Sequence, residues 1–197
     1  MNPTTRILMI RHTEVCSSLK GICYGASDIP LSQDATAHMT SVCKRLERHL
    51  KSSAGPVRIV HSGLSRASRL ALQIADTYQV DDLLEDRRIA EMNFGDWELK
   101  SWQSIFLRVG HRMSDMIHKP ETYAPPGGET AHAVRDRVMD WYRNVPANKG
   151  GDTETIIAVS HGGPIAALKG TLKGQSAREW PSLIPGYGEI TDLSTLE

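Results

Sequence analysis

The chain lacks a charge excess: 23 Lys and Arg balance 23 Asp and Glu over 197 residues. No net field draws it to nucleic acid or to a membrane surface, so a small anion would need a local basic pocket. Cysteine is sparse as well. Cys16, Cys23 and Cys43 form an odd set with no CxxC pair and no nearby paired histidines, which argues against a disulfide framework and against a zinc site. Long apolar runs are missing: near the N-terminus only residues 7–10 are continuously apolar before charge returns at Arg11. That run is too short for a secretion signal or a membrane span, and with reduced thiols it predicts a cytoplasmic protein. There is no GxxxxGK[ST] loop, which excludes a P-loop nucleotide site, and no acidic cluster of the kind that ligates Mg²⁺. Repeats, low-complexity tracts and long linkers are also absent, so residues 1–197 are expected to form one domain.

What is present alternates between two periodicities. Residues 6–10 (RILMI), 57–60 (VRIV) and 155–159 (TIIAV) are short apolar runs that read as buried strands. Residues 83–89 are a weaker strand candidate and residues 189–193 a final edge strand. Between them, Ala35, Met39, Val42, Leu46 and Leu50 mark an amphipathic helix, with Ser32 expected at its N-cap and Asp34 in its first turn. Residues 64–78 and 165–172 predict two more helices, and Val134, Val138, Trp141 and Val145 another. The stripe from Trp102 to Ile117 predicts one long helix, closed by the turn-forming residues 120–128. Residues 11–30 are polar and glycine-rich, hence loop. Strands alternating with helices predict an α/β fold, a three-layer α/β/α sandwich with a mainly parallel sheet.

Each of the three strong strands ends in an abrupt polar switch: Arg11-His12, His61-Ser62 and Ser160-His161. Ligands of open α/β sheets bind at the carboxyl ends of the strands. Parallel strands would therefore bring Arg11, His12, Arg66 and His161 around one small volume, with amides at a helix start adding to an anion site. Two guanidiniums and two imidazoles at close quarters call for a multiply charged anion. A phosphoryl group suits the bidentate fork of arginine. Its charge would be met by protein cations alone, so neither metal nor other cofactor is expected.

These residues resemble the signature of the histidine phosphatase superfamily, also called phosphoglycerate mutase-like. Arg11-His12-Thr13-Glu14 is similar to the family's Arg-His-Gly-Glu, and residues 62–67 (SGLSRA) to its Ser-Pro-Leu-x-Arg-Ala segment. Residues 91–98 (EMNFGDWE), 126–130 (PGGET) and 160–163 (SHGG) match further family motifs in the family's order. The resemblance implies that His12 attacks phosphorus as a neutral imidazole, forming a covalent phosphohistidine that water later hydrolyses. It implies that Arg11, Arg66, His161 and Gly162 hold the phosphoryl oxygens. Glu91 would protonate the leaving oxygen and then deprotonate the attacking water, so it must begin the cycle protonated. Thr13 stands where the family usually has Gly, Ser18 where many members have Asn, and Gly63 where the motif has Pro. None removes a group that the chemistry requires.

Phosphatase fits better than mutase, because residues 99–120, with Arg108, His111, Arg112 and Lys119, lack an Arg- and Tyr-rich bisphosphate clamp. Residues 21–31 (GICYGASDIPL) resemble the α-ribazole phosphatase branch, which serves cobalamin biosynthesis, and equally suit a generic substrate loop of sugar-phosphate phosphatases. Thr13, Ser18, Tyr24 and Gly25 are the candidate substrate contacts, with Tyr24 either stacking on a base-like group or packing under the loop. A catalytically inactive binder of phosphorylated ligands is the alternative from another class. The expected partner is a small phosphorylated metabolite, not nucleic acid or a membrane, and a homodimer is left open.

Overall fold

The structure, a computed structural model, describes residues 5–51, 55–145 and 154–195. The chain order is β1 (Thr5–Arg11), α1 (Ala35–Leu50), β2 (Val57–His61), α2 (Ser65–Tyr78), β3 (Leu83–Glu85), α3 (Trp102–Val109), α4 (Asp115–His118), α5 (Ala131–Arg143), β4 (Glu154–Ser160), α6 (Gly162–Leu172) and β5 (Ile190–Asp192). The strands form one sheet in the order β3-β2-β4-β1-β5, in which only β5 runs antiparallel. Because side chains alternate along a strand, each strand feeds two cores. Leu8, Ile10, Ile59, Ile157 and Val159 pack under α1 and α2. Ile7, Met9, Val60, Ile156 and Ala158 pack under α5 and α6. This is the expected three-layer α/β/α sandwich, with β4 buried along its whole length. No helix among the described residues is long and apolar enough to cross a membrane.

Register decides where the polar switches fall. Arg11 lies opposite Ser160, and His61 opposite Val159. The three strands therefore end level, and His12, Ser62 and His161 emerge side by side at one rim.

Several sequence expectations need correction. Helix α1 starts at Ala35 with Asp34 at the cap, and Ser32 instead offers its carbonyl to the Ala35 amide. The strand expected over 83–89 stops at Glu85, because the Asp86 carboxylate caps a 3₁₀ turn, Arg87–Ile89. The long helix expected from 102 is broken: Gly110 takes a φ of 60° and ends α3, a 3₁₀ stretch follows, and α4 is a single turn. Helix α5 stops at Arg143, short of Val145, and α6 begins three residues earlier than expected, at Gly162. The break expected over 52–56 falls largely on residues 52–54, which lie outside the described residues.

Candidate active site

His12 lies just past β1 and is 2% exposed. Its Nδ1 is 2.7 Å from the Thr13 carbonyl. A carbonyl can only accept, so the ring carries its proton on Nδ1 and leaves Nε2 bare. Burial, then the Arg66 charge, lower its pKa to about 3, with Arg11 adding to them and the Thr13 bond opposing. His161, at the end of β4, is fully buried, and its ring centroid is 5.1 Å from that of His12. Burial, followed by His12, Arg66, Arg137 and Arg11, holds its pKa well below the ordinary value. Ser62 Oγ is 2.7 Å from His161 Nε2 and accepts from the Leu64 amide, so its proton is free to go to Nε2. When Ser62 donates in this pair, the neutral ring presents an N–H at Nδ1.

The two arginines are tethered to backbone carbonyls, Arg66 through two nitrogens and Arg11 through one. Arg66, 0% exposed at the start of α2, donates through Nη1 and Nη2 to the Ser27 and Gly25 carbonyls. Arg11 donates through Nη1 to the Pro185 carbonyl, and Tyr187 lies 4.0 Å from its guanidinium. Arg11 Nε, Arg66 Nε, His161 Nδ1 and Thr13 Oγ1 are buried polar atoms without a partner in the protein. Native structures rarely leave such atoms unpaired, each at a cost of about 1–3 kcal/mol. Four on residues that surround one imidazole mark a site built for an oxyanion.

Glu91 reaches the same place from the other side. Its Oε2 accepts from the Gly163 amide at 3.2 Å and its Oε1 from the Met92 amide at 2.9 Å. A Cβ at Gly163 would meet Glu91 Oε1 at 2.4 Å, so any larger residue there would displace the carboxylate. Gly162 opens α6 beside Arg11. Ser160 Oγ donates to the Ile89 carbonyl, which ties the 89–91 segment to the end of β4. The departures from the motif are accommodated. Thr13 is buried against the site. Gly63 adopts φ 87°, an angle closed to the proline of the motif, and Arg66 keeps its place.

Beside Arg11 and Glu91 opens a pocket of about 700 Å³, also bordered by Tyr24, Phe94, Trp102 and Tyr187, while His12, Arg66 and His161 lie off its border. Tyr24 fits the expectation in position, with its hydroxyl bonded to that of Tyr187 at 2.9 Å and its ring 5.7 Å from the Arg66 guanidinium. Gly25 acts through its carbonyl on Arg66. Ser18 is exposed, bonds Cys16 Sγ and does not border the pocket, whereas Ser17 does. Arg108, His111, Arg112 and Lys119 are exposed and do not border it either.

Sequence reasoning missed three contributors. Tyr187 braces Arg11, and nothing in its loop pattern signals this. Arg137 donates to the Arg88, Ala90 and Glu91 carbonyls and pairs with Glu129, fixing the Glu91 segment. Its position, in line with Val134, Val138 and Trp141 on the buried side of α5, is a readable signal that it needs buried acceptors. Glu98 accepts from the Gly25, Ala26, Ser27 and Phe94 amides and so holds the loop that holds Arg66.

The model of the histidine phosphatase superfamily (branch 1) matches residues 7–197. The chain belongs to this superfamily. Among curated relatives, a metal-independent phosphoserine phosphatase of Arabidopsis thaliana is 26% identical over 83% of this chain and 67% of its own. A 2,3-bisphosphoglycerate-dependent phosphoglycerate mutase of Mesorhizobium japonicum is 26% identical over 92% and 88%. Among solved structures, a mycobacterial glucosyl-3-phosphoglycerate phosphatase in complex with VO₃ superimposes with a TM-score of 0.75 at 26% identity, covering 95% of this chain and 90% of that one. The α-ribazole phosphatase of Shigella flexneri shares the fold, with a TM-score of 0.78 at 21% identity over 95% and 89%. This histidine phosphatase is thus a phosphoryl-transfer enzyme of phosphoglycerate mutase-like fold, and its relatives act on chemically different phosphate esters.

Proposed function

We propose that the protein is a phosphomonoesterase that works through a phosphohistidine on His12. The observation that carries this reading is the bare Nε2 of a buried, neutral His12 among four unpartnered polar atoms on Arg11, Thr13, Arg66 and His161. Nε2 attacks phosphorus, the bond from phosphorus to the ester oxygen breaks, and Glu91 gives its proton to that oxygen. Water then attacks phosphorus, Glu91 takes up the water proton, and the N–P bond breaks to release phosphate. Arg11, Arg66 and His161 hold the equatorial oxygens, where charge builds up in the transition state. An isomerase would need a second cationic cluster for a bisphosphate. The pocket border offers only Lys20 besides Arg11.

Among substrates, α-ribazole 5′-phosphate is the one to test first, on the strength of the loop that carries Tyr24 and the aromatic pocket wall. A broad sugar-phosphate phosphatase is the competing assignment. Rapid quench with a ³²P-labelled ester is expected to trap a phosphoenzyme that is acid-labile and base-stable, and His12→Ala should abolish both label and turnover. Turnover of p-nitrophenyl phosphate should persist with excess chelator. Label on another residue, or none with full activity, would exclude the mechanism. Binding of vanadate without turnover of any ester would favour the inactive binder.

A further inference from the structure

Beside the pocket over Arg11 lies a second cavity of about 220 Å³ between α3, α5, α6 and the 3₁₀ turn Trp180–Leu183. Its border is apolar throughout, with residues such as Met92, Ala166, Trp180 and Ile184 and no side chain that carries a charge. The one buried indole N–H there is already donated, from Trp180 to the Gln175 carbonyl. Phe94, Trp102 and Ile184 border both cavities. Phe94 and Trp102 meet edge to face at 5.5 Å, and Ile184 remains 46% exposed although it is wholly apolar. Gly163 borders the apolar cavity while its amide holds Glu91, the group assigned to the leaving oxygen.

This placement constrains the alcohol half of the ester. Glu91 borders the larger pocket, and the apolar chamber adjoins that pocket through the shared Phe94, Trp102 and Ile184, with no charged side chain there to pair with hydroxyls. A cavity of about 150 Å³ accommodates benzene, so 220 Å³ holds one aromatic ring with substituents or a short branched chain. Burying a hydroxylated group there would strand its polar atoms.

We propose that this cavity is the leaving-group subsite, and that the enzyme prefers phosphomonoesters whose alcohol carries an aromatic or branched aliphatic group close to the ester oxygen. The inference rests on the phosphatase reading but ranks apolar alcohols above the hydroxylated alcohols of α-ribazole 5′-phosphate and sugar phosphates, so glycerol 3-phosphate stands for those in the test. The test compares kcat/KM of the wild-type enzyme for 2-phenylethyl phosphate and glycerol 3-phosphate. Both are alkyl esters with poorly acidic leaving alcohols, so intrinsic reactivity differs little. A preference of about tenfold or more for the phenylethyl ester is expected, the size that a modest change in apolar contact supports. Ala166→Leu, which fills the cavity, should lower that ratio towards one, with circular dichroism confirming the fold. Hydrolysis of both esters at similar efficiency overturns the subsite and leaves the phosphatase reading standing. A wild-type preference that survives in folded Ala166→Leu places the ring elsewhere and also overturns it. Failure of both esters together with p-nitrophenyl phosphate overturns the phosphatase reading itself.

Discussion

His12 and Glu91 are each held by the backbone, His12 through its Nδ1 and Glu91 through both carboxylate oxygens. The Thr13 carbonyl fixes the His12 proton on Nδ1, so in the proposed mechanism Nε2 attacks without any base to activate it. The Gly163 amide fixes the Glu91 carboxyl, and a Cβ there would crowd that approach. Gly163→Ala should therefore displace Glu91 and leave His12 untouched. The single-turnover rate of phosphoenzyme formation from alkyl esters is expected to fall about 100-fold, the scale of general acid catalysis, while formation from p-nitrophenyl phosphate, whose leaving group needs no proton, loses much less. Equal losses on both substrates would mean that the variant damages the phosphate site instead. At this scale His12, Arg66, His161 and Glu91 were readable as candidates, because they stand in short motifs. Tyr187 was not, since it joins the site from a loop 175 residues after His12.

At the scale of elements, the connections between strands carry as much of the site as the strand ends do. The loop after β1 donates three amides to Glu98 and returns two carbonyls to Arg66. Burial disfavours charge on Glu98, yet the bonds from Ser27, Gly25 and Phe94 hold its pKa below the ordinary value. Glu98→Gln keeps the shape and replaces an acceptor oxygen with a donor that faces backbone N–H groups. We expect it to cost about 1–3 kcal/mol of stability. Because Arg66 loses its anchor, the inhibition constant for inorganic phosphate should rise roughly tenfold, equivalent to about 1.4 kcal/mol. A loss of stability with unchanged phosphate inhibition would reduce Glu98 to a purely structural role. The 102–118 region shows why elements were only partly readable. Its apolar stripe is continuous in sequence, but Gly110 breaks it, so the helices turn to border the apolar cavity.

For the whole molecule, the site has a cost in acid. His12 titrates near 6.5 in an unfolded chain and near 3 when folded. Below pH 6.5 the unfolded chain binds a proton that the folded protein refuses. Stability is therefore flat above pH 6.5 and falls as pH drops towards 3, by up to about 1.4 kcal/mol per pH unit for this one group. Denaturant unfolding at pH 6.5, 5.5 and 4.5 should give a shallower decline for His12→Asn than for wild type, and parallel lines would show that His12 is not the group refusing the proton. The sequence by itself determined the alternation of strands and helices and the buried parallel sheet, and it singled out the candidate phosphate-handling residues, because periodicity and local polar switches are written along the chain. Only the tertiary structure decided which tautomer His12 adopts, which carbonyls hold the arginines and that an apolar chamber adjoins Glu91. Those depend on sheet register and on contacts between residues far apart in the chain, and no local pattern encodes a distance of that kind.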